Sequence, residues 1–315
     1  MMDVVIVNWN AGRLLRACLA SLDRNHHGSI SRVLVVDNAS DDDSLLDALE
    51  FKSQGFEFQT IRNATNVGFA AACNKGANAC RSEFILFLNP DCEIYPSTLD
   101  DMRGEMRALP PAEYGVFGIR LVGTDGAIAR GCCRQPSAAH CWVRLLGMDR
   151  ITRGRVRSYV MTEWPHTESR DVEHVIGAFY LVRRSVFEAL GGFDGRFFVY
   201  LEDLDLSRRI LNAGYRIRYL SRASALHVGG GTSNKVKATR LYYSLRSRIL
   251  FAFKHFSAPA AWMLLAGTVL LEPVIRLAYN VARADFREAG ETLEGYQMLW
   301  RDLPRLLAAR RPAPQ

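Results

Sequence analysis

The sequence predicts an α/β protein, with a parallel sheet in its first part and helices at its end. Three observations carry that prediction. Apolar runs of strand length alternate with helix-periodic stretches from Val4 to Leu88. Several of those runs end in Asn or Asp, at Asn8 and Asn10, at Asp37 and Asn38, and at Asn89 and Asp91. The last third carries an apolar stripe at helical spacing, Leu241, Leu245, Ile249, Phe253 and Phe256.

Taken in order, Val4–Asn8 is an apolar run that ends in polar residues. Leu14, Leu15, Cys18, Leu19 and Leu22 then share one helix face. Arg32–Asn38 is the second strand, and Ser40 with Asp41–Asp43 precedes the helix of SLLDAL. Glu57–Ile61 is the third strand, the small-residue stretch Gly68–Cys80 a helix, and Phe84–Leu88 the fourth strand. Further on, His174–Val182 reads as one strand. A helix is expected from near Glu202 to Gly214, then an alternating strand over Tyr215–Leu220. Arg144, Arg150, Arg153, Arg155 and Arg157 form a basic, looped stretch, and the tail RRPAPQ has the composition of a disordered end.

The chain has 315 residues, 49% hydrophobic and 23% charged, which is globular composition. The formal net charge of +7 points to an anionic partner, such as a phosphate-bearing substrate or an acidic lipid surface. No basic region pairs with a DNA- or RNA-binding signature, so no nucleic-acid partner is expected. Seven cysteines without a CxxC pair indicate reduced core thiols in a cytosolic protein. The N-terminus enters a strand pattern directly, without the layout of a signal peptide. The uncharged stretch Phe256–Leu271 is interrupted by Glu272 and Arg276. At that length it falls short of the roughly 20 residues that span a bilayer, leaving a core helix, an interfacial helix or a hairpin limb.

No GxGxxG and no GxxxxGK[ST] follows the first strand, which disfavours a dinucleotide dehydrogenase, a P-loop NTPase or a nucleotidyltransferase. In open α/β sheets ligands gather outside the carboxyl ends of the strands, where these Asn and Asp residues fall, although such residues also serve as turn and cap formers. Asp91 and Glu93 suit a hard divalent cation, or else a capped turn. Glu202, Asp203 and Asp205 crowd one helix start, either to complement its dipole or to supply a general base. His227, just before the glycines Gly229 to Gly231, is a metal ligand or a structural histidine. The glycines admit a phosphate or form a hinge.

The segments VVIVNWN, VLVVDNASDDDS, NATNVGFAAACNKG, FLNPDCEI, GAFYLVRRSVFEALGGFDGRFFVYLEDLDLSRRILNAGY and HVGGGTS occur in this order. Together they resemble the family-2 glycosyltransferases of GT-A fold, and more narrowly their rhamnosyltransferase-like branch in bacterial polysaccharide or cell-wall assembly. The resemblance covers roughly Val4 to Phe256. It implies a GT-A type, Rossmann-like nucleotide-diphospho-sugar transferase fold over residues 1–235, with a nucleotide-binding half (1–100) and an acceptor-binding half (101–235), followed by a helical extension over 236–315. It implies inverting transfer from a nucleotide sugar, dTDP-L-rhamnose foremost and UDP- or GDP-sugars otherwise, to a saccharide or polyprenyl-diphosphate-linked acceptor. A non-catalytic scaffold of the same fold is the alternative from another class.

By the same resemblance, Asn8, Asn10, Asp37, Asn38, Asn66, Gly68, Asn74, Asn89 and Asp91 would bind the nucleotide sugar. Asp91 would be the last acid of the family's DxD motif and ligate Mg²⁺ or Mn²⁺. Asp203, beside Glu202, would be the catalytic base, and His227 would complete the metal site. Gly177, Ala178, Phe179, Gly192, Phe193 and Asp194 would border the acceptor. This chain departs from the motif in having Asn89 at its first position, so Glu93 or His227 would compensate, or the metal would enter with the donor. The basic and apolar C-terminal helices, with Trp262, Met263, Leu264 and Leu265, fit the inner face of the cytoplasmic membrane, a cap on the catalytic domain or a homo-oligomer contact.

Overall fold

The structure is a computed structural model that describes residues 1–53, 55–148, 159–229 and 237–310. Arg150, Arg153, Arg155, Arg157, Gly230, Gly231 and the tail beyond Arg310 lie outside the described residues. The chain divides into two compact units. The first holds Met1–Arg134, Trp164–Gly195 and Glu202–Thr232; the second holds Gln135–Glu163, Arg196–Leu201 and Ser233–Gln315.

The first unit is built on one nine-stranded sheet. Its first strands are β1 (Met2–Asn8), β2 (Ile30–Asp37), β3 (Glu57–Arg62) and β4 (Phe84–Leu88), separated by helices α1 (Arg13–Asn25), α2 (Ser44–Glu50) and α3 (Phe69–Ala77). Every residue of β1 is buried, as expected of a strand covered on both faces. β1 pairs in parallel with β2 and β4, and β2 with β3, so these four strands form the expected parallel sheet. Beyond them in the chain come β5 (Cys92–Ile94), α4 (Thr98–Arg107), β6 (Tyr114–Val122), β7 (Cys132–Cys133), then α5 (Ala138–Leu145) of the second unit, and again in the first unit β8 (Arg170–Val172), β9 (His174–Val175) and β10 (Phe179–Arg183). The short α6 (Arg184–Ala189), then α7 (Glu202–Asn212) and β11 (Arg216–His227), follow. The sheet order is β3-β2-β1-β4-β10-β6-β11-β5, with β8 also on β11.

Past β4 the sheet departs from the parallel pattern. β10 is antiparallel to β4 and β6, while β11 is parallel to β6 and antiparallel to β5 and β8. The single strand expected over His174–Val182 is two strands. β9 pairs with β7 in a separate ribbon, and only β10 joins the main sheet. The break falls at Ile176–Ala178, where the backbone bonds to side chains and loops instead of a strand neighbour. The helix expected from Glu202 ends at Asn212, and Gly214 follows at φ 89°, a left-handed turn that glycine adopts without strain. The strand after it extends to His227, well past Leu220.

The second unit is helical. It contains α5, α8 (Lys237–His255), α9 (Ala258–Ala266), a π-helical turn (Gly267–Leu271), α10 (Glu272–Ala282) and α11 (Phe286–Ala309). The uncharged stretch does not stop at Glu272. Helix runs from Ala258 to Ala282, 25 residues, and is long and apolar enough by length and composition to cross a membrane. The apparent interruption is an internal ion cluster. Glu272 is fully buried and pairs with Arg248 and with Arg276 at 2.8 Å, while Arg248 also donates to Thr268 at 2.9 Å.

Candidate active site

The ends of β1 and β2 are tied into a rigid floor. Asn8 is buried, and its Nδ2 donates to Asp37 Oδ1 at 2.8 Å, Ser44 Oγ at 2.9 Å and Ser40 Oγ at 3.1 Å. Asp37, also buried, accepts a further N–H from Ser40. Asn38 donates to Asn66 Oδ1 at 2.8 Å and to Gly68 O, and accepts from Asn63 and from the Val67 backbone. Asp37 and Asn38 are 1% and 2% exposed, and their hydrogen bonds tie the loops after β2 and β3 together. Asn10 stands at φ 52° and is half-buried. Its N–H donates to Ser40, and its Oδ1 accepts from the Asp41 backbone. Asn66 turns its Oδ1 to the Gly68 N–H as well.

Asn74, on α3, is a two-point clamp: Nδ2 donates to Phe193 O at 2.8 Å and Oδ1 accepts from Phe193 N at 2.9 Å. The Gly192–Asp194 turn is also held by Arg209, which donates to Leu190 O and Gly192 O and pairs with the buried Asp205 at 2.9 Å. Phe193 is 2% exposed and packs on Phe87 and Phe187. Ala178 and Phe179 are likewise buried in the main core. These three expected acceptor contacts are therefore core residues. Of that set, Gly177 contacts Asp203 through its N–H.

At the exit of β4, Asn89 N–H donates to Ala178 O, and Asp91 follows on the turn into β5. β11 brings His227 alongside, with Nε2 3.5 Å from Asp91 Oδ2, and that oxygen also accepts the Gly229 N–H at 3.1 Å. Donor atoms of Asp91, Cys92 and His227 lie within 4.8 Å of one another. Cys92 is fully buried, its thiol is engaged with Ala178 O at 3.4 Å, and burial pushes its pKa well up. That leaves one carboxylate and one imidazole, a set that fits a hard divalent cation whose other positions go to water and phosphate oxygens. Glu93 is not in this group. It faces Leu226 in the pairing of β5 with β11, one residue on from the Cys92–His227 pair and so on the other side of the sheet.

At the start of α7, three neighbouring acids have three fates. Asp205 is paired with Arg209. Glu202 is buried; desolvation, then the charge of Asp203, pushes its pKa well up, and its Oε2 has no hydrogen-bond partner among the described residues. Asp203 keeps 17% of its side chain exposed. Oδ2 accepts the Gly177 N–H at 2.7 Å and Oδ1 accepts the Leu204 N–H at 2.8 Å. A Cβ on Gly177 would stand 3.1 Å from that Oδ2, so the close approach favours glycine. Just before α7, Tyr200 and Leu201 both have positive φ (70° and 65°), a strained entry into the helix.

The segment Gly177–Ala178 links the two acidic places. Gly177 donates to Asp203, and the next residue's carbonyl accepts from Asn89 and Cys92. Sequence reasoning missed His174 behind Asp203. It lies 3.7 Å from Oδ2 and touches Ser207 at 2.9 Å. The spacing of Asp203 and Ser207, one helical turn apart, was the available signal. A cavity of about 470 Å³ elsewhere in this unit, lined by Met2, Phe84, Met102, Met106, Phe117 and Arg183 among others, includes none of the expected site residues.

Residues 3–130 match the family model "Glycosyl transferase family 2", and residues 140–281 match "Glycosyl transferase family group 2". An N-acetylglucosaminyl-diphospho-decaprenol L-rhamnosyltransferase of Mycobacterium tuberculosis is 26% identical over 91% of this chain and 96% of its own length. The rhamnosyltransferase WbbL of Escherichia coli K12 is 43% identical over 46% of this chain and 52% of its own. Among solved structures, the mannosyltransferase PcManGT of Pyrobaculum calidifontis, in complex with GDP-Man and Mn²⁺, superposes with a TM-score of 0.55. It is 18% identical, over 98% of this chain and 85% of that one. S. aureus TarS 1–349 with UDP-GlcNAc gives 0.53 at 14% identity, over 94% and 91%.

Proposed function

This chain is a member of glycosyl transferase family 2 with the GT-A fold, and on that premise we propose that it transfers L-rhamnose from dTDP-L-rhamnose, with inversion, to a saccharide on a polyprenyl-diphosphate carrier in bacterial polysaccharide or cell-wall assembly. The observation that carries the reaction type is the juxtaposition of one accessible carboxylate, Asp203, with the Asp91–His227 pair through Gly177–Ala178. The mycobacterial relative, similar over almost its whole length, supports the choice of rhamnose and of a lipid-linked acceptor.

In this reading Asp203 accepts the proton of the acceptor hydroxyl as that oxygen bonds to the anomeric carbon. The bond from that carbon to the diphosphate breaks on the opposite side, and its electron pair leaves with the diphosphate. A positioned base of this kind contributes roughly 10²–10⁴-fold. Asp91 and His227 would hold Mg²⁺ or Mn²⁺, which offsets charge on the departing diphosphate. Burial and the charge of Asp203 disfavour a second negative charge on Glu202 beside the base. Asn8, Asp37, Asn38 and Asn66 shape the nucleotide side by fixing the loops after β1, β2 and β3, and Asn74 fixes the turn at Gly192–Asp194 toward the acceptor.

The long helix of the second unit supports a place at the inner face of the cytoplasmic membrane. Its exposed residues, Trp262, Met263, Leu270, Val274, Tyr279 and Val281 among them, are uncharged, while its charged Glu272 is turned inward. Lys254 and His255 precede the helix and Arg283 and Arg287 follow it, which suits anionic head groups.

The direct test is a thermal-shift screen with dTDP, UDP and GDP, with and without Mn²⁺. The expected result is stabilisation by dTDP that grows with Mn²⁺, because a ligand stabilises the state it binds. Stabilisation by UDP or GDP alone would move the donor. No response to any nucleotide would overturn the reading.

A further inference from the structure

Behind Asp203 lies a buried line of polar groups. Tyr180, on β10, is fully buried, and its hydroxyl is 3.0 Å from Ser207 Oγ. Ser207, on α7 and also fully buried, contacts His174 Nδ1 at 2.9 Å. His174, on β9 and 4% exposed, presents Nε2 to Asp203 Oδ2 at 3.7 Å.

The direction of the protons follows from counting donors. The phenol hydrogen of Tyr180 has Ser207 Oγ as its acceptor among the described residues. The hydroxyl hydrogen of Ser207 is then left for His174 Nδ1. An imidazole nitrogen that accepts carries no proton, so the ring hydrogen sits on Nε2 and faces Asp203. Burial also pushes the pKa of His174 down, against the opposing pull of Asp203, so the ring is neutral.

We propose that His174 is a positioning residue for the base: the line Tyr180, Ser207, His174 locks the imidazole so that its Nε2–H faces Asp203 at 3.7 Å and acts electrostatically on the carboxylate that the Gly177 and Leu204 N–H groups orient. An N–H aimed at a carboxylate favours its charged form. The inference rests on the reading of Asp203 as base. The other titratable or charged groups around this carboxylate are Glu202, Asp205 and Arg209 on α7, Cys73 on α3 and Tyr180 on β10, with Cys133 opposite His174 in the ribbon. None of them places an N–H donor on the Asp203 oxygens among the described contacts.

The test is the pH profile of sugar transfer for His174→Phe, His174→Gln and Ser207→Ala, with Asp203→Asn alongside. His174→Phe is expected to lower kcat about tenfold, a fraction of what a general base contributes, with donor KM unchanged. It should also move the acidic limb of kcat/KM to higher pH. His174→Gln, which restores an N–H donor, should return most of both. Ser207→Ala, which frees the ring, should move the limb the same way by less, and it keeps the proposal testable if His174→Phe does not fold. Equal losses in Phe and Gln variants with an unmoved limb would overturn the proposal in favour of a packing role. Transfer by Asp203→Asn at the normal rate would instead overturn the base itself. A dead Asp203→Asn beside a wild-type limb in His174→Phe and Ser207→Ala would remove only the role of His174.

Discussion

The two acidic places of the first unit are built in contrasting ways. At Asp91 a carboxylate sits on a turn with an imidazole 3.5 Å away and a backbone N–H on one oxygen. At α7 three carboxylates crowd four positions; Glu202 is buried, which disfavours its charged form, and Asp205 is held in an ion pair with Arg209. In the proposed reading Asp91 would serve as a ligand because it has few protein partners, which leaves room for others, and Asp203 would serve as the base because it alone of the three acids keeps an exposed edge. The lesson is that adjacency in sequence says little about availability, since Glu202 and Asp203 are consecutive and have opposite environments.

The contrast can be broken or sharpened by substitution. The largest effect is expected from Asp203→Asn, which keeps the shape and an acceptor for one of the two N–H contacts but removes the basic carboxylate. Sugar transfer should fall by roughly 10³-fold while the thermal shift with donor persists. Next comes Asp91→Ala. Loss of charge compensation worth several kcal/mol in metal sites should cost about 10²-fold in rate, together with the Mn²⁺-dependent part of the thermal shift. If the shift survives intact, the cation is held elsewhere.

Glu202→Gln should change stability more than rate. The folded state raises the pKa of Glu202, so it binds a proton that the unfolded chain releases near the usual glutamate value. That contribution is complete at low pH and is lost as pH rises from the ordinary glutamate range through the raised value. Relative to wild type, the Gln variant should therefore gain Tm steadily as pH is raised from about 5 to about 8, with transfer reduced less than about tenfold. An identical pH dependence of Tm in both proteins would mean the carboxyl is ionised in the fold. The smallest effect is expected at Glu93→Gln, which should leave Mn²⁺ dependence unchanged, since the pairing of β5 turns Glu93 away from His227 and Glu93 is not in the Asp91–His227 group.

Much of the sheet could be read from the chain. Phe84–Leu88 is a strand with the bounds its apolar run suggests, and β1, β2 and β3 follow their runs to within a few residues. Tertiary partners explain what could not be read. The break at Ile176–Ala178 lies inside a continuous apolar stretch, and what breaks it is a set of contacts to Asp203, Asn89 and Cys92, all remote in sequence. Glu272 looked like the end of an apolar segment because Arg248, which neutralises it, belongs to another helix. In the site, the polar residues at the strand ends were visible, but which of them are consumed by hydrogen bonds to Ser40, Ser44, Asn63 and Val67 depends on loop geometry. Periodicity marks Phe179 and Phe193 as apolar without saying that both point into the core.

The helix from Ala258 to Ala282 has a consequence for anyone who handles the protein. Its 25 residues, at about 1.5 Å each, extend about 37 Å, and the side turned to solvent offers water almost nothing to bond. If that side meets a bilayer, as proposed, detergent or vesicle content becomes a variable of every assay and is best held fixed.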